Sequence, residues 1–195
     1  MILYIDTETT GKADFNLRAS DPSQPHLVRL SGIIATDDGI GMELFDTLIK
    51  PEGWTIPEEV TKIHGITNEM ALEKGIPEAE AAAFVKEKML QASLIVAHNM
   101  QFDKFIIRIA LRRHKLLTDE EDAMWKALPT YCTMKQSTNI LRIPHANGRG
   151  FKWPTLAEAY KAATGDTLSE AHDSTMDVQA VLVIHNWLKQ KESNE

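Results

Sequence analysis

Four apolar residues, Ile2-Leu3-Tyr4-Ile5, run without a break into Asp6-Thr7-Glu8. A short apolar run of this composition reads as a buried strand over residues 2–6. Strand side chains repeat every two residues, so Asp6 and Glu8 face the same side. Two carboxylates about 4 Å apart repel by roughly 4 kcal/mol at the effective dielectric of a protein surface. Either a hard divalent cation repays that cost, or the strand end frays into solvent and the two acids are unrelated.

The rest of the chain continues the α/β theme. Residues 28–36 and 42–49 read as two more strands, with Asp37-Asp38-Gly39 marking a hairpin between them. Residues 11–27 read as a long loop. From Pro57 the pattern turns helical, with Glu58 and Glu59 at the positive helix start. Pro77 opens a second helix, through about Gln91. Residues 94–97 are a short apolar strand, residues 100–115 an amphipathic helix, and residues 130–134 a short fifth strand. Residues 141–153 read as a loop, and two helices follow, about 155–164 and 173–191. The order predicts one domain over residues 1–195, an α/β sandwich with a mixed five-stranded sheet flanked by helices.

Two further clusters could carry chemistry. In His98-Asn99-Met100-Gln101-Phe102-Asp103 a buried strand passes into a helix, the place where ligand sites gather in α/β sheets. The plain alternative for Asp103 is an acid that steadies a helix N-terminus. In His172-Asp173-Ser174-Thr175-Met176-Asp177, five residues at about 100° each separate His172 and Asp177 by about 140° on an ideal helix. His172 therefore falls in the loop before the helix and Asp177 one turn inside it. A mobile imidazole beside a fixed acid suits a general base. The alternative is an ordinary surface histidine ahead of a helix capped by Asp173 or Ser174.

Composition narrows the class. The chain has 195 residues, 43% hydrophobic and 25% charged, the profile of a soluble globular protein rather than a disordered one. No apolar stretch approaches the roughly 20 residues of a membrane helix. The N-terminus lacks a basic-then-apolar leader, so the expectation is a cytoplasmic protein without membrane association. The single Cys132 excludes an internal disulfide and a multi-cysteine zinc site. A formal net charge of −7 argues against a broad phosphate-binding surface, though not against an enzyme that draws positive charge from bound metal.

Taken in order, an acid pair on the first strand, an acid on a middle helix, and a histidine five residues before an acid on the last helix resemble the DnaQ-like 3′→5′ exonucleases. These are the ribonuclease-H-like group named for Asp-Glu-Asp-Asp plus His. The resemblance spans almost the whole chain. Asp6 and Glu8 match the first motif, Asp103 the second, and Asp177 with His172 the third. The His98-Asn99 to Phe102-Asp103 block and Ile63-His64-Gly65-Ile66-Thr67 match as well.

The resemblance implies a ribonuclease-H-like fold and a two-metal mechanism with Mg²⁺ or Mn²⁺, two ions per site. Asp6, Glu8 and Asp177 would hold one ion, and Asp6 would share the second with Asp103 assisting through water. His172 would take a proton from the attacking water. Glu59 and His64 would contact the terminal nucleotide, the Thr9-Thr10-Gly11 backbone would meet the 3′ end, and Asn99 and Phe102 would line the pocket. For Phe102, core packing is an equal alternative. The implied partner is a nucleic acid 3′ end, DNA before RNA. The last helix is followed only by a short polar tail, which suggests a stand-alone nuclease, with non-covalent association with a replication or repair complex left open.

Competing classes fit less well. Haloacid-dehalogenase phosphatases share an apolar strand and an Asp-x-Asp opening, but here the second acid is Glu8, and position 170 holds Glu where a late Asp is needed. HD-type phosphohydrolases are all-helical. A silent nucleic-acid-binding module would not need all five side chains. Two basic clusters remain. Arg108, Arg112 and Lys115 read as a solvated helix face, as does the acidic run Asp119–Asp122. Arg142, His145, Arg149 and Lys152 alternate with Gly148, Gly150, Phe151 and Trp153, either as an ordinary surface loop or as one that grips a strand backbone.

Overall fold

The computed structural model of the chain describes residues 1–37, 42–168 and 174–193. The expected hairpin turn at Asp38-Gly39 and the expected base His172 lie outside the described residues.

The five expected strands form one sheet. They are β1 (Ile2–Thr9), β2 (Leu27–Ala35), β3 (Met42–Leu48), β4 (Leu94–Ala97) and β5 (Thr130–Cys132), in the spatial order β3-β2-β1-β4-β5. β1–β2 and β2–β3 pair antiparallel, and β1–β4 and β4–β5 pair parallel. β1 is central and alternates as its sequence requires. Leu3 and Ile5 enter one core layer with Ala82, Val85, Ile106 and Ile107, from the helices α3 (Glu78–Gln91) and α4 (Met100–Arg113). Tyr4 enters the opposite layer with Val178 and Val181, from α8 (Ser174–Glu192). The sheet is thus covered on both faces, and the parallel strands β1 and β4 end at the same edge.

Three helices were not anticipated: α2 (Asn68–Lys74), α5 (Asp119–Ala127) and α6 (Thr133–Leu141); α1 (Glu58–His64) and α7 (Leu156–Thr164) complete the set among the described residues. α5 carries a legible start, since Thr118 and Glu121 form a reciprocal capping box. The solvated readings of the acidic run and the basic stripe hold for Asp119, Glu120 and Lys115, which are exposed, and fail for Asp122, Arg108 and Arg112, which meet. The Arg108 guanidinium donates both Nε and Nη2 to Asp122 at 2.7 Å, Arg112 lies 2.9 Å from Asp119, and Asp122 is buried. Lys115 falls beyond the end of α4 with a left-handed φ of 58°, off the expected stripe. The 141–153 segment is a loop as expected, closed by an isolated antiparallel bridge between Pro144 and Phe151. No helix among the described residues is long and apolar enough to cross a membrane.

Candidate active site

Asp6 and Glu8 project from the last turns of the β1 pleat on the side that faces α8. Asp177 sits in the first turn of α8. One carboxylate oxygen from each of Asp6, Glu8 and Asp177 lies within 4.8 Å of the other two. A shift in register between Glu8 and Thr9 is the kind of irregularity that re-aims side chains at the end of a strand.

Asp103 reaches β1 from the opposite face. Its carboxylate is buried and accepts a hydrogen bond from Thr7 Oγ1 at 2.8 Å. Thr7, between Asp6 and Glu8 in sequence, points away from them toward α4. The end of β1 is therefore gripped by an acid from each layer, which is how four carboxylates scattered along the chain converge.

The electrostatics follow from this crowding. Burial raises the Asp6 carboxyl well above the usual carboxylate range, and Asp103, Glu8 and Asp177 add to the effect. Glu8 is pushed up to about 7, by burial first and then by Asp177. Asp103 is raised by burial against the opposing pull of the Thr7 hydrogen bond. One cation within the protein works the other way. Arg29, paired across the strands with Glu8, lowers both Asp6 and Glu8 while donating to Asp46 through Nε at 2.7 Å. Arg29 and Thr7 were missed in the sequence. The signal for Arg29, a basic residue directly across from Glu8, needs the register to be seen.

The donor set fits hard divalent ions, because it offers only carboxylate oxygens and because raised pKa values at shared acids mark a site that gains by neutralisation.

The other expected residues sit around this edge. Asn99 starts α4 with φ 79° and ψ 46°, a left-handed conformation that asparagine tolerates better than most residues and that collects at functional sites. Phe102 is half-buried and packs on the α3–α4 core layer, so core packing accounts for at least part of it. Thr9 Oγ1 donates to the Gly11 carbonyl at 2.7 Å, and Thr10 Oγ1 accepts from the His26 amide at 2.9 Å; these side chains shape the loop that leaves β1. Glu59 is exposed on α1, whereas His64 is buried, its Nδ1 accepting from the Ile66 amide at 3.1 Å. α1 packs through Val60 near Val28, at the start of β2 and hence beside the end of β1. Among the described residues, Glu59 makes no hydrogen bond or ion pair with these carboxylates. His98, without an assigned role in the sequence, bridges Thr133 Oγ1 through Nδ1 and the Pro154 carbonyl through Nε2, both at 3.0 Å.

Comparison with known proteins bears on this geometry. A family model described as Exonuclease, RNase_T, matches residues 3–184. A protein of Escherichia phage 186 named as an uncharacterized exonuclease is 29% identical over 188 residues, covering 93% of this chain and 84% of that protein. A Mycobacterium tuberculosis protein named for exonuclease and endonuclease functions is 26% identical over 183 residues, covering 93% of this chain but 26% of the relative. Among solved structures, Escherichia coli Exonuclease I in complex with a dT13 oligonucleotide superposes with a TM-score of 0.73 at 20% identity, over 99% of this chain and 42% of that one. Exonuclease I of Methylocaldum szegediense gives 0.73 at 23% identity, over 98% and 41%. These two share the ribonuclease-H-like fold, and the present chain spans about two fifths of their length.

Proposed function

The chain belongs to the RNase_T exonuclease family, and from that premise we propose that residues 1–195 act as a metal-dependent 3′→5′ exonuclease domain. It hydrolyses phosphodiester bonds from the 3′ end of DNA and releases nucleoside 5′-monophosphates. The observation that carries the reading is the meeting of Asp6, Glu8 and Asp177 oxygens within 4.8 Å, with the Asp103 charge acting on Asp6 and Glu8 from the other side of β1. The Exonuclease I relatives solved with oligonucleotides support DNA over RNA as the substrate.

In this reading Asp6, Glu8 and Asp177 would hold Mg²⁺ or Mn²⁺, with Asp103 assisting at a second ion that Asp6 would share. When bound, such ions stabilise charge on the attacking and leaving oxygens of an in-line displacement. Four carboxylates and two divalent ions cancel in charge, so a phosphodiester enters without net repulsion despite the chain's −7. Asp103 is held to its post by the Thr7 hydroxyl, and Arg29 tempers the repulsion between Asp6 and Glu8. His172 accepts the proton of the attacking water. Asn99, Phe102, Glu59, His64 and the Thr9-Thr10 turn receive the terminal nucleotide.

Digestion of 5′-labelled single-stranded DNA and RNA in Mg²⁺, Mn²⁺ or EDTA tests the reading. A ladder that shortens from the 3′ end, on DNA and only with metal, is expected, and Asp6→Ala abolishes it. A ladder in EDTA, or shortening from the 5′ end, overturns the mechanism. Faster digestion of the RNA strand overturns the substrate assignment alone.

A further inference from the structure

The segment between α6 and α7 is a small, outward-facing hairpin with an unusual surface. The Pro144–Phe151 bridge closes it, the His145 amide donates to the Gly150 carbonyl at 3.1 Å and the Lys152 amide to Ile143 at 2.9 Å. Gly148 and Gly150, at φ 72° and 65°, supply the left-handed residues that so tight a tip needs. Past the tip, the Lys152 Nζ meets Glu158 Oε1 at 2.6 Å, while its neighbours Phe151 and Trp153 are 50% and 64% exposed. Neither ring joins a core cluster among the described residues. Arg142, His145 and Arg149 are exposed around them, and Arg149 makes no ion pair with another described residue.

The root of this hairpin is fixed to the catalytic edge of the sheet. The Pro154 carbonyl accepts from His98 at 3.0 Å, and His98 follows β4, whose end lies at the same edge as Asp6 and Glu8 because β1 and β4 run parallel. Leu156 packs on the layer that contains Tyr4, Val96 and Val178, the last of these adjacent to Asp177. The base of the hairpin is therefore anchored at the end of the sheet where the carboxylates gather.

We infer that this hairpin binds single-stranded DNA upstream of the scissile bond, with Trp153 and Phe151 stacking on successive bases and Arg142 and Arg149 contacting the backbone. The two rings are spaced by two residues of extended chain, roughly 6.7 Å, enough for separate bases. Stacking tolerates any base, and the guanidinium groups supply local positive charge on a chain that is acidic overall. The inference rests on the exonuclease reading for the position of the 3′ end, but its binding arm does not need cleavage.

Fluorescence anisotropy of 5′-labelled dT20 in EDTA is the test, with Phe151→Ala, Trp153→Ala, the double variant and Arg149→Ala. Each aromatic truncation is expected to weaken binding about tenfold, and the Arg149 change to flatten the dependence of binding on salt. Trp153→Phe keeps most of the affinity. Hydrolysis of thymidine 5′-monophosphate p-nitrophenyl ester, which occupies only the carboxylate site, stays at the wild-type rate in every variant with Mn²⁺. Wild-type affinity for dT20 in the double variant overturns the hairpin assignment, whatever the cleavage results. Weakened binding in the variants together with a wild-type protein that hydrolyses neither ester nor DNA keeps the hairpin assignment and overturns the nuclease reading.

Discussion

At the scale of single residues, the site is defined by carboxylates held closer than they would choose. Glu8 titrates near 7 and Asp6 higher than usual, so a cation that binds here must displace protons. Two outcomes follow. Mn²⁺ should raise the melting temperature of the protein, by an amount equivalent to about 2.7 kcal/mol at a hundred times its dissociation constant. The rise should be larger at pH 8 than at pH 6, because acid pits protons against the metal. Asp177→Asn should shrink the rise, and differential scanning fluorimetry in Mn²⁺ against EDTA measures it; an undiminished rise would remove Asp177 from the ligand set. His172→Ala separates base from ligand. Turnover should fall by about 10²- to 10⁴-fold with the Mn²⁺-induced rise intact, whereas equal loss of both would mean that the imidazole is not acting mainly as a base.

At the scale of elements, the alternation of β1 was readable from residues alone, and with it the common orientation of Asp6 and Glu8. The α4 and α8 acids were readable by their order, but their arrival at β1 from opposite layers was not, because layer assignment depends on which helix covers which face. Thr7 illustrates the gap. It points away from the acids and carries no signal in the sequence, yet its hydroxyl is what ties Asp103 to the strand. The α5 helix was missed for a related reason. Four acids in a row read as solvated when the partners are unknown, but Arg108 and Arg112 on α4 absorb two of them. Arg108 is consequently the pin between α4 and α5. Arg108→Ala leaves the buried Asp122 with Arg112 and Lys126 as partners, so the loss is that of a charged hydrogen bond, about 1.5 kcal/mol, read as a lower midpoint in urea denaturation with an unchanged slope. The loss should be smaller in an Asp122→Asn background, which removes the buried charge that Arg108 neutralises.

At the scale of the whole molecule, the buried Glu78 and His185 and the crowded carboxylates at the end of β1 give the stability curve its shape with pH. Glu78, in the first turn of α3, accepts from the Leu27 amide at 2.9 Å, from Arg113 at 2.9 Å and from His114 at 2.8 Å, and so knots β2, α3 and the end of α4. Burial pushes its carboxyl up, but His26, Arg113, the Leu27 amide and His114 together pull it down to about 2. A depressed carboxyl stabilises the fold fully above its ordinary value of 4.5 and loses that contribution as pH falls from there toward 2. His185 is buried between Tyr4 and Tyr131, its Nδ1 2.9 Å from the Tyr4 hydroxyl, and burial lowers it to about 4 from 6.5. The unfolded chain binds that proton first, so stability falls as pH drops from 6.5 to 4. Glu8 has the opposite sign. Raised from 4.5 to about 7, it holds a proton in the folded state that the unfolded chain has released, so acid relieves the strain of the carboxylate site across nearly the same window. In EDTA the slopes of Glu8, Asp6 and Asp103, all raised, oppose and outnumber that of His185, so the melting temperature should rise as pH falls from 7 toward 4.5 and then fall as Glu78 protonates. Glu8→Gln removes one of the raised acids and lessens the crowding of the others. That variant should melt higher than the parent at about pH 7.5, where the parent's repulsion is greatest, and should gain less than the parent on acidification. A Glu8→Gln profile parallel to that of the parent would mean that the acids at the end of β1 are not crowded enough to titrate together, which would also undercut their role as a shared metal site.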